Sequence, residues 1–500
     1  MASSEQRSEI RASEINELLE KVRASNYKQY LKRIKLTRLR AFQDQVIDLE
    51  FPVTALVGPN GGGKTTILGA AAIAYQSEVR PRRFFAKSGK YDDSMQSWSM
   101  EYDIIDKTIS ERGTLTRTSS FRRLRWNRDA PKRQTLVFGV QRTVPASERA
   151  ELQRCISGNF SVPDDRVEII PATVAEQVAH VLDKDVSKFS RLKVDPKGKV
   201  TLYTGIAPEG TGYSEFHFGA GESSVIRMIT EIETANENAL ILIEEIENGL
   251  HPVATRRVVD YLISVAKRKK CQVIFTTHSN DALSALPSQA IWAAFNGNVV
   301  QGKLDIVSLR AITGQIDAQL GIFVEDNFAK RWIEFSLRYY GDISLDAVTI
   351  HAMAGDATAV KVNEYHNVSP PPVKNFPSIC FIDGDSKQNE SAEKSVYRLP
   401  GESPETYIYH KVLDQIDECA AKLAAGMQLP LEIQEKVTQT IRSIANTNRD
   451  PHVIFSQVGE RLGLISEHVV QGAFLAMWAQ IYPEEVAQIL DPVKDMLPKS

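Results

Sequence analysis

The chain has few cysteines and no long apolar run, and both absences narrow what it can be. Its 500 residues include 4 cysteines, widely separated and matching no metal or redox spacing, which favours a reduced, cytoplasmic protein. No apolar stretch approaches the roughly 20 residues that cross a bilayer, and the polar start MASSEQRSEIR is unlike a signal peptide, so we expect no membrane partner. A formal net charge of −3 argues against a protein that coats nucleic acid wholesale.

Metal-type histidine pairs and heptad repeats are also missing. The 9 histidines form no H-x-x-x-H pair. The long segment between residue 64 and residue 215 carries no sustained heptad repeat of apolar residues. This excludes the long coiled-coil arms of chromosome-maintenance ATPases. A chain of 500 residues is too long for one core, so we predict two or three domains of mixed α and β structure.

Residues 51–68, FPVTALVGPNGGGKTTIL, combine an apolar strand, a glycine-rich turn and a helix start. The pattern G-x-x-x-x-G-K-[ST] runs from Gly58 to Thr65. Its glycines let backbone N–H groups surround phosphate oxygens, Lys64 reaches the β and γ oxygens, and the Thr65 hydroxyl serves Mg²⁺. A chance glycine-rich loop would lack the strand before it and the helix after it. The motif therefore predicts an ATP site built from Asn60, Gly61, Gly63, Lys64, Thr65 and Thr66.

A second apolar strand, in LILIEEIENGLHP (240–252), ends in paired carboxylates. Carboxylates at the carboxyl edge of a parallel sheet lie where such sheets hold ligands. Glu244 is predicted to hold Mg²⁺, usually through water, and Glu245 to orient and deprotonate the attacking water. Alone, this pattern is often just a strand end, but after a phosphate loop it predicts ATP hydrolysis.

Two further segments fit the same site. CQVIFTTHSNDAL (271–283) is a strand that ends in Thr277 and His278. His278 is either a surface histidine or a sensor of the γ-phosphate, and its position after the acids favours the sensor. EFHFGAGESSVIRMI (215–229) opens a second helix with Gly219, Gly221 and Glu222 at its start, which suits an anion. One nucleotide needs one phosphate cradle, so we expect a neighbouring copy to use this second one, residues 219–222, which we call the signature segment.

The region from about 98 to 144 is rich in β-type pattern. MEYDIID, GTLTRTSSF and QTLVFGVQRTV are predicted strands. Between the last two lies FRRLRWNRDAPKR, a basic run around Trp126. Such a run either contacts a nucleic-acid backbone or forms a solvated hairpin.

The order phosphate loop, signature segment, LILIEE, ENGLHP and TTHS resembles the ATP-binding-cassette (ABC) ATPases, specifically the RecF-like and overcoming-lysogenization-defect (OLD) branch. The resemblance implies ATP and Mg²⁺ as cofactors, Arg40 of KLTRLRAF as a nucleotide contact, and a homodimer or higher even oligomer. In that assembly each ATP lies between one copy's phosphate loop and the other's signature segment. Three features depart from the family: Gly219 replaces the usual Ser, Ile246 replaces a Pro, and neither Gln76 nor Gln96 suits the glutamine that senses Mg²⁺.

After residue 315 the pattern restarts with new strands that end in acids. LGIFVED (320–326) ends in Glu325 and Asp326, and SICFIDGDS (378–386) ends in Asp383 and Asp385. A βαβ series brings such acids to one sheet edge, where they suit Mg²⁺ or Mn²⁺ and phosphodiester cleavage. The alternative is that they only cap the next helices.

This second part resembles the TOPRIM domain of OLD-family nucleases, over residues 316–410. The resemblance assigns Glu325 as the first-strand acid, Asp383 and Asp385 as the D-x-D pair, and Glu405 as a further metal ligand. Ala329 stands where the family usually carries another acid. We therefore predict an α/β protein in which an amphipathic helical extension (1–30) precedes an ABC-type ATPase domain (31–310), a smaller TOPRIM-like α/β domain (316–410) and a helical C-terminal region (411–500).

These readings leave different classes of function open. The first is an ATPase coupled to a Mg²⁺- or Mn²⁺-dependent DNA nuclease, which by its resemblance would serve antiphage defence. The second is an ATP-gated sensor or scaffold with an inert TOPRIM-like domain, which holds and releases a separately encoded toxin or nuclease. A third, a RecF-like repair ATPase that loads other proteins on DNA, leaves the D-x-D edge unexplained.

Overall fold

A computed structural model describes most of the chain, which forms two compact units. The described residues are 12–88, 91–92, 95–157, 159–207, 210–295, 297–302, 319–353, 355–368 and 376–499. The units are Met1–Ile306 and Val307–Ser500. The predicted junction at 310–316 lies outside the described residues, so the domain bounds given above remain predictions.

The first unit is a mixed α/β domain with three sheets. Its helices are α1 (Ala12–Arg23), α2 (Lys64–Ile73), α3 (Ala172–Leu182), α4 (Ala220–Thr234), α5 (Pro252–Lys269) and α6 (Asn280–Leu283). Its strands are β1 (Gln29–Leu39), β2 (Phe42–Asp48), β3 (Val53–Val57), β4 (Trp98–Asp106), β5 (Leu115–Arg122), β6 (Arg125–Arg128), β7 (Thr135–Phe138), β8 (Val167–Ile169), β9 (Ser190–Lys193), β10 (Thr201–Ile206), β11 (Gly212–Ser214), β12 (Leu240–Ile243), β13 (Gln272–Thr276), β14 (Ile291–Phe295) and β15 (Asn298–Gln301).

The central sheet carries the predicted nucleotide motifs. It has 6 strands in the order β15-β14-β3-β13-β12-β7, and all neighbours are parallel except β14 and β15. Every residue of β3, β12 and β13 is buried, as expected for strands of a sheet covered on both faces. Because the strands are parallel, the phosphate loop after β3, the acids after β12 and Thr276 at the end of β13 meet at one edge.

An antiparallel sheet of 5 strands, β2-β1-β4-β5-β6, lies beside the helix α2. The predicted hairpin at 35–51 is confirmed, with β1 beginning earlier, at Gln29. The predicted strand over QTLVFGVQRTV is partly wrong, because β7 ends at Phe138 and Val140–Thr143 is a 3-10 turn. Gly139 ends the strand, and that turn brings new side chains to the nucleotide edge.

The helix α1, Ala12–Arg23, lies within the predicted amphipathic extension (1–30), whose last two residues belong to β1 and whose first eleven lie outside the described residues. Leu18, Leu19 and Val22 are buried, and the Lys267 ammonium of α5 pairs with Glu14 at 3.0 Å and Glu17 at 3.2 Å. The helix therefore packs on its own domain.

The second unit joins a parallel sheet to a helical region. Its strands are β16 (Leu320–Val324), β17 (Val348–Ala352), β18 (Ser378–Ile382) and β19 (Val396–Arg398), in the order β17-β16-β18-β19 and all parallel. Its helices are α7 (Asn327–Tyr340), α8 (Asp356–Val368), α9 (Pro404–Leu413), α10 (Ile416–Gly426), α11 (Gln434–Thr447), α12 (Ile454–Gly463), α13 (Glu467–Ile481) and α14 (Pro483–Leu490). Trp332 and Trp478 cross edge to face, with ring centroids 5.4 Å apart, in the core shared by sheet and helices.

Within the described ranges, no single helix has the length and apolar composition that would cross a membrane, although the bent pair 451–463 and 467–481 meets those two criteria together.

Candidate functional site

A cavity of about 520 Å³ lies at the carboxyl edge of the central sheet. It brings together most of the side chains that the sequence predicted for ATP and its magnesium ion. The predicted residues that line it are Arg40, Asn60, Gly61, Gly63, Lys64, Thr65, Thr66, Glu244 and Glu245. His278, Gly219, Gly221 and Glu222 are not among the described lining residues.

Two glycines of the phosphate loop cannot carry a side chain. A Cβ on Gly58 would stand 2.1 Å from the Ala294 carbonyl oxygen, and one on Gly63 would stand 2.3 Å from the Phe42 ring. Both residues also have positive φ, 147° and 102°, which side chains disfavour. The loop is therefore pressed between β14 and the β1–β2 hairpin, which holds its N–H groups in place.

The Lys64 ammonium is buried beneath this loop. Its Nζ donates to the carbonyls of Gly58 at 2.8 Å and Pro59 at 3.0 Å. Burial lowers the pKa of Lys64 to about 8, against the raising effect of the Glu245 and Glu247 carboxylates. A triphosphate would raise the pKa of Lys64 again, since an adjacent anion favours the charged form.

Arg40 occupies the turn of the β1–β2 hairpin at a φ of 54°. Its guanidinium donates to the Thr66 hydroxyl at 2.7 Å and to the Phe84 carbonyl at 3.2 Å, and it lies over the Phe85 ring. Burial lowers its pKa. These bonds fix a cation at the cavity wall, which agrees with the predicted nucleotide contact.

The two predicted acids open a strained turn, residues 244–249, which we call the catalytic turn. Glu245 has a φ of 45°, and its N–H donates to the Thr276 hydroxyl at 2.8 Å. Glu247 accepts from the Thr277 hydroxyl at 2.7 Å and from the His278 N–H at 2.6 Å. His278 is thus held beside the catalytic turn through its backbone. Glu247, which accepts both hydrogen bonds, is a residue that sequence reasoning missed.

Sequence reasoning also missed the residues after β7. The strand β7 pairs with β12, so the turn that follows it reaches the same edge as the acids. Val140 lines the cavity, and its neighbour Gln141 lies on the same 3-10 turn. The signal available in the sequence was Gly139, which directly follows the last residue of β7, Phe138.

The signature segment forms the start of α4, as predicted. A Cβ on Gly221 would stand 2.0 Å from the Gly249 carbonyl oxygen, so this segment packs directly on the catalytic turn. The Glu222 carboxylate is held by the Lys184 ammonium at 2.6 Å, and Lys184 lies over the Phe218 ring. The segment is therefore ordered without lining the cavity of its own chain.

In the second unit, the predicted acids gather at the carboxyl edge of the parallel sheet. Glu325 and Asp383 follow the paired strands β16 and β18, Asp385 is exposed, and Glu405 is buried in the first turn of α9. Asp326 and Asp356, which were not predicted as ligands, stand close enough to raise the pKa of Glu325. We call these six carboxylates the acidic edge.

The charges of the acidic edge oppose one another. Burial, followed by repulsion from Asp356, raises the pKa of Glu325 to about 7. Burial, followed by repulsion from Asp326 and Glu325, raises that of Asp383 to about 8. Glu325 Oε2 and Asp383 Oδ1 are buried and find no hydrogen-bond partner among the described residues. Buried, unpaired carboxylate oxygens are costly and are often explained by a missing cation.

The donor set fits a hard divalent cation, but the side chains as placed do not enclose one. Across the described ranges, no group of three or more His, Cys, Asp or Glu side chains is arranged to hold a metal ion. The oxygens are of the type that Mg²⁺ and Mn²⁺ select.

Two other side chains support the acidic edge and were not predicted. Arg398 donates to the carbonyls of Asp383 and Gly384 at 2.9 Å each, which holds the D-x-D turn. His452, from the helical region, lies 3.1 Å from Glu405, and this contact raises the pKa of His452. His452 lies almost fifty positions from Glu405 in sequence, so only the fold reveals their contact.

Gly384→Ala is expected to destabilise the second unit by at least about 2 kcal/mol, because backbone would have to move. The added Cβ would stand 1.4 Å from the Gly401 carbonyl oxygen. Urea unfolding followed by circular dichroism measures the change. Gly472→Ala is the control, since its Cβ would meet only the Phe335 ring at 3.6 Å within a helix. If both variants were equally stable, the close approach of Gly384 to the Gly401 carbonyl would not be required for the stability of the second unit.

The basic run of the first unit is a hairpin of β5 and β6. Trp126 packs against Phe85 and Phe121, with ring centroids 5.6 Å and 5.2 Å away, so its ring is not placed to stack on a base. Arg122, Arg123 and Arg125 are exposed at the tip. The tip offers positive charge beside the exposed Leu124 side chain.

Comparison with known proteins matches two family models in the first unit. Residues 103–284 match the family described as "AAA domain, putative AbiEii toxin, Type IV TA system", and residues 33–135 match a family described as "AAA domain". Among curated proteins, the OLD nuclease of Thermus scotoductus is 23% identical over 312 residues, which cover 50% of this chain and 59% of that protein. The chain thus spans less than two thirds of this relative's length.

Solved structures show partial likeness. The SMC head domain from Thermotoga maritima aligns at 14% identity and a TM-score of 0.35, covering 55% of this chain and 99% of that one. The recombination mediator protein RecF with ATP aligns at 11% identity and a TM-score of 0.35, covering 55% and 98%. The sequence matches, rather than these alignments, support the predicted relationship: the first unit carries AAA-domain sequence, and the chain is related to an OLD nuclease.

Proposed function

We propose that this chain hydrolyses ATP as a homodimer or higher even oligomer, and that its second unit is a TOPRIM-type, metal-dependent DNA nuclease that acts in antiphage defence. One observation carries the proposal: two parallel sheets in series end in carboxylates, the first behind a phosphate loop and the second with buried, unpartnered carboxylate oxygens. The similarity to an OLD nuclease supports the nuclease part of the proposal.

In the first unit, each side chain has a role that its position allows. Lys64 and Arg40 bind the phosphates, and Thr65 with Glu244 holds Mg²⁺. Glu245 takes the proton of the attacking water, and His278 senses the γ-phosphate. The signature segment lies outside its own chain's cavity lining, which agrees with use by the ATP of a second copy.

In the second unit, Glu325, Asp383, Asp385 and Glu405 would hold Mg²⁺ or Mn²⁺. Bound there, a metal would supply an activated water and positive charge for the leaving oxygen of a phosphodiester. The chain's own contribution is to hold the oxygens in a buried place, through Arg398 on the D-x-D turn. The exposed arginines at the β5–β6 tip offer charge for a DNA backbone.

A second candidate is the ATP-gated scaffold whose TOPRIM-like domain is inert and whose partner is a separately encoded toxin or nuclease. Two observations favour it. Ala329 takes the place of a usual acid, and its N–H serves only as a partner for the Asp326 side chain at 2.8 Å. The described side chains also form no closed ligand group.

Incubation of purified protein with supercoiled plasmid, ATP and either Mg²⁺ or Mn²⁺ distinguishes the two candidates. The parent is expected to nick the plasmid, and Asp383→Ala to abolish nicking while ATP hydrolysis continues. Lys64→Ala is expected to abolish ATP hydrolysis. If the parent hydrolyses ATP and never nicks under either metal, the nuclease proposal fails and the scaffold takes its place.

Gly219→Ser is expected to be tolerated and to raise ATP turnover on the order of tenfold, the value of one added hydrogen bond to γ-phosphate. A Cβ on Gly219 meets nothing within 4 Å, and its φ of −62° suits serine. Phosphate release measures the rate. Gly221→Ala, whose Cβ would overlap the Gly249 carbonyl, is the contrasting variant and should lose activity. Unchanged turnover in Gly219→Ser would remove the signature segment from the ATP site.

A further inference from the structure

Arg142, on the 3-10 turn after β7, binds the backbone of both catalytic acids. Its guanidinium donates to the carbonyl of Glu244 at 2.5 Å, of Glu245 at 2.6 Å and of Gly139 at 3.2 Å. Burial lowers the pKa of Arg142 against the carboxylates nearby. A planar guanidinium that bridges two adjacent carbonyls fixes their orientation in a way that a flexible ammonium does not.

The catalytic turn that Arg142 binds has a strained backbone, which depends on contacts from the surrounding structure. Glu245 is a non-glycine residue with positive φ, a conformation that persists only when surrounding contacts impose it. The Thr276 hydroxyl binds its N–H, and Arg142 binds its carbonyl. Both ends of the Glu245 backbone are therefore restrained, which sets the direction of its carboxylate.

Arg149 continues this connection away from the cavity. It donates to the Arg142 carbonyl at 3.2 Å, to Glu215 Oε1 at 3.2 Å and to the Ser223 hydroxyl at 3.5 Å. Ser223 lies in the first turn of α4, directly after the signature segment. A chain of direct contacts thus runs from the start of α4 to the backbone of the catalytic acids.

Glu215 is the centre of this connection and is fully buried. Its side chain has 0% exposure and pairs with Arg149 and Arg227, and it also accepts from Ser223. Burial alone would raise the pKa of Glu215, but the hydrogen bonds from Arg227 and Ser223 hold it below the usual value. Because a buried charge is costly unless every partner is in place, the cluster resists partial disruption.

We propose that Arg142 is a positioning residue for ATP hydrolysis, and that Arg149 and Glu215 link it to the signature segment. This inference rests on the proposed function, in which the signature segment of one copy faces the ATP of the other. The link then connects the neighbour's bound ATP to this copy's own Glu245. Hydrolysis in one site depends on occupancy of the other.

Steady-state ATP hydrolysis by Arg142→Gln, Arg142→Lys and the control Arg154→Gln tests the positioning role. Arg154 is exposed on the neighbouring Ala150–Cys155 turn. We expect Arg142→Gln to lower kcat at least about 10-fold, with its half-saturating ATP concentration within about threefold of the parent's, the pattern of an interaction made in the transition state. Arg142→Lys should recover part of the rate, and Arg154→Gln should match the parent.

Retention of the parental kcat by Arg142→Gln overturns the positioning role. The positioning role is also overturned if Arg142→Gln and Arg142→Lys lose nucleotide affinity and thermal stability to the same extent as each other, since that pattern is expected of a residue with a structural role only. For the link, the rate of the parent is expected to rise sigmoidally with ATP and that of Arg149→Gln hyperbolically; a hyperbolic parent overturns the link. A parent without any ATP turnover would instead contradict the proposed function itself.

Discussion

Glu245→Gln is expected to lower kcat for ATP hydrolysis by at least about 100-fold and to leave ATP affinity unchanged. Glutamine keeps the size and the backbone contacts of Glu245, including the bonds to Thr276 and Arg142, but cannot take a proton from water. Fluorescent-nucleotide titration measures affinity, and phosphate release measures kcat. With hydrolysis blocked, the ATP-bound dimer should also persist longer in size-exclusion chromatography.

The control for this substitution is Glu237→Gln, an exposed glutamate in the turn before β12. It makes the same chemical change in the same unit, away from the cavity lining, and should retain the parental rate. Glu247→Gln is informative beside it, since Glu247 supports Thr277 and the His278 backbone. A Glu245→Gln protein that turns over ATP as the parent does would exclude Glu245 as the base.

The nucleotide half of the site could be predicted because its residues are local in sequence. Phosphate loops and strand-end acids keep fixed spacing from the strand that carries them, so Lys64, Thr65, Glu244 and Glu245 fell within one cavity. Arg142 could not be found in that way. Two of the backbone carbonyls that it binds, those of Glu244 and Glu245, are about a hundred positions away, and backbone acceptors leave no pattern in the sequence.

The acidic edge could be predicted from the sequence in its carboxylates but not in its contact with the helical region. Strand periodicity predicted that Glu325 and Asp383 follow neighbouring parallel strands, and the structure pairs those two strands, β16 and β18, in parallel. Asp356 could have been found by the same reasoning, since it begins the helix that follows β17. The His452 contact to Glu405 depends on how α9 packs against the helical region, and that packing has no local signature.

Asp383→Asn is expected to stabilise the metal-free protein by on the order of 3 kcal/mol at pH 8. In the folded chain the pKa of Asp383 is about 8, well above its ordinary value, so its ionisation opposes folding at every pH above that ordinary value. The penalty reaches its full size near pH 8, and asparagine removes it. Urea unfolding in EDTA measures the difference, and Asp346→Asn, exposed in the same unit, should leave stability unchanged.

Divalent metal should reverse the order of stability, so that the parent becomes more stable than Asp383→Asn. Mn²⁺ or Mg²⁺ binding to the parent would compensate the repulsion at the acidic edge, so its Tm should rise with metal concentration, as expected for a ligand that binds only the folded state. Asp383→Asn lacks one charged ligand and should show little or no rise. This readout does not depend on any cleavage activity. A variant that is less stable than the parent in EDTA would mean that Asp383 has a structural partner, and the acidic edge would then have no need of a metal.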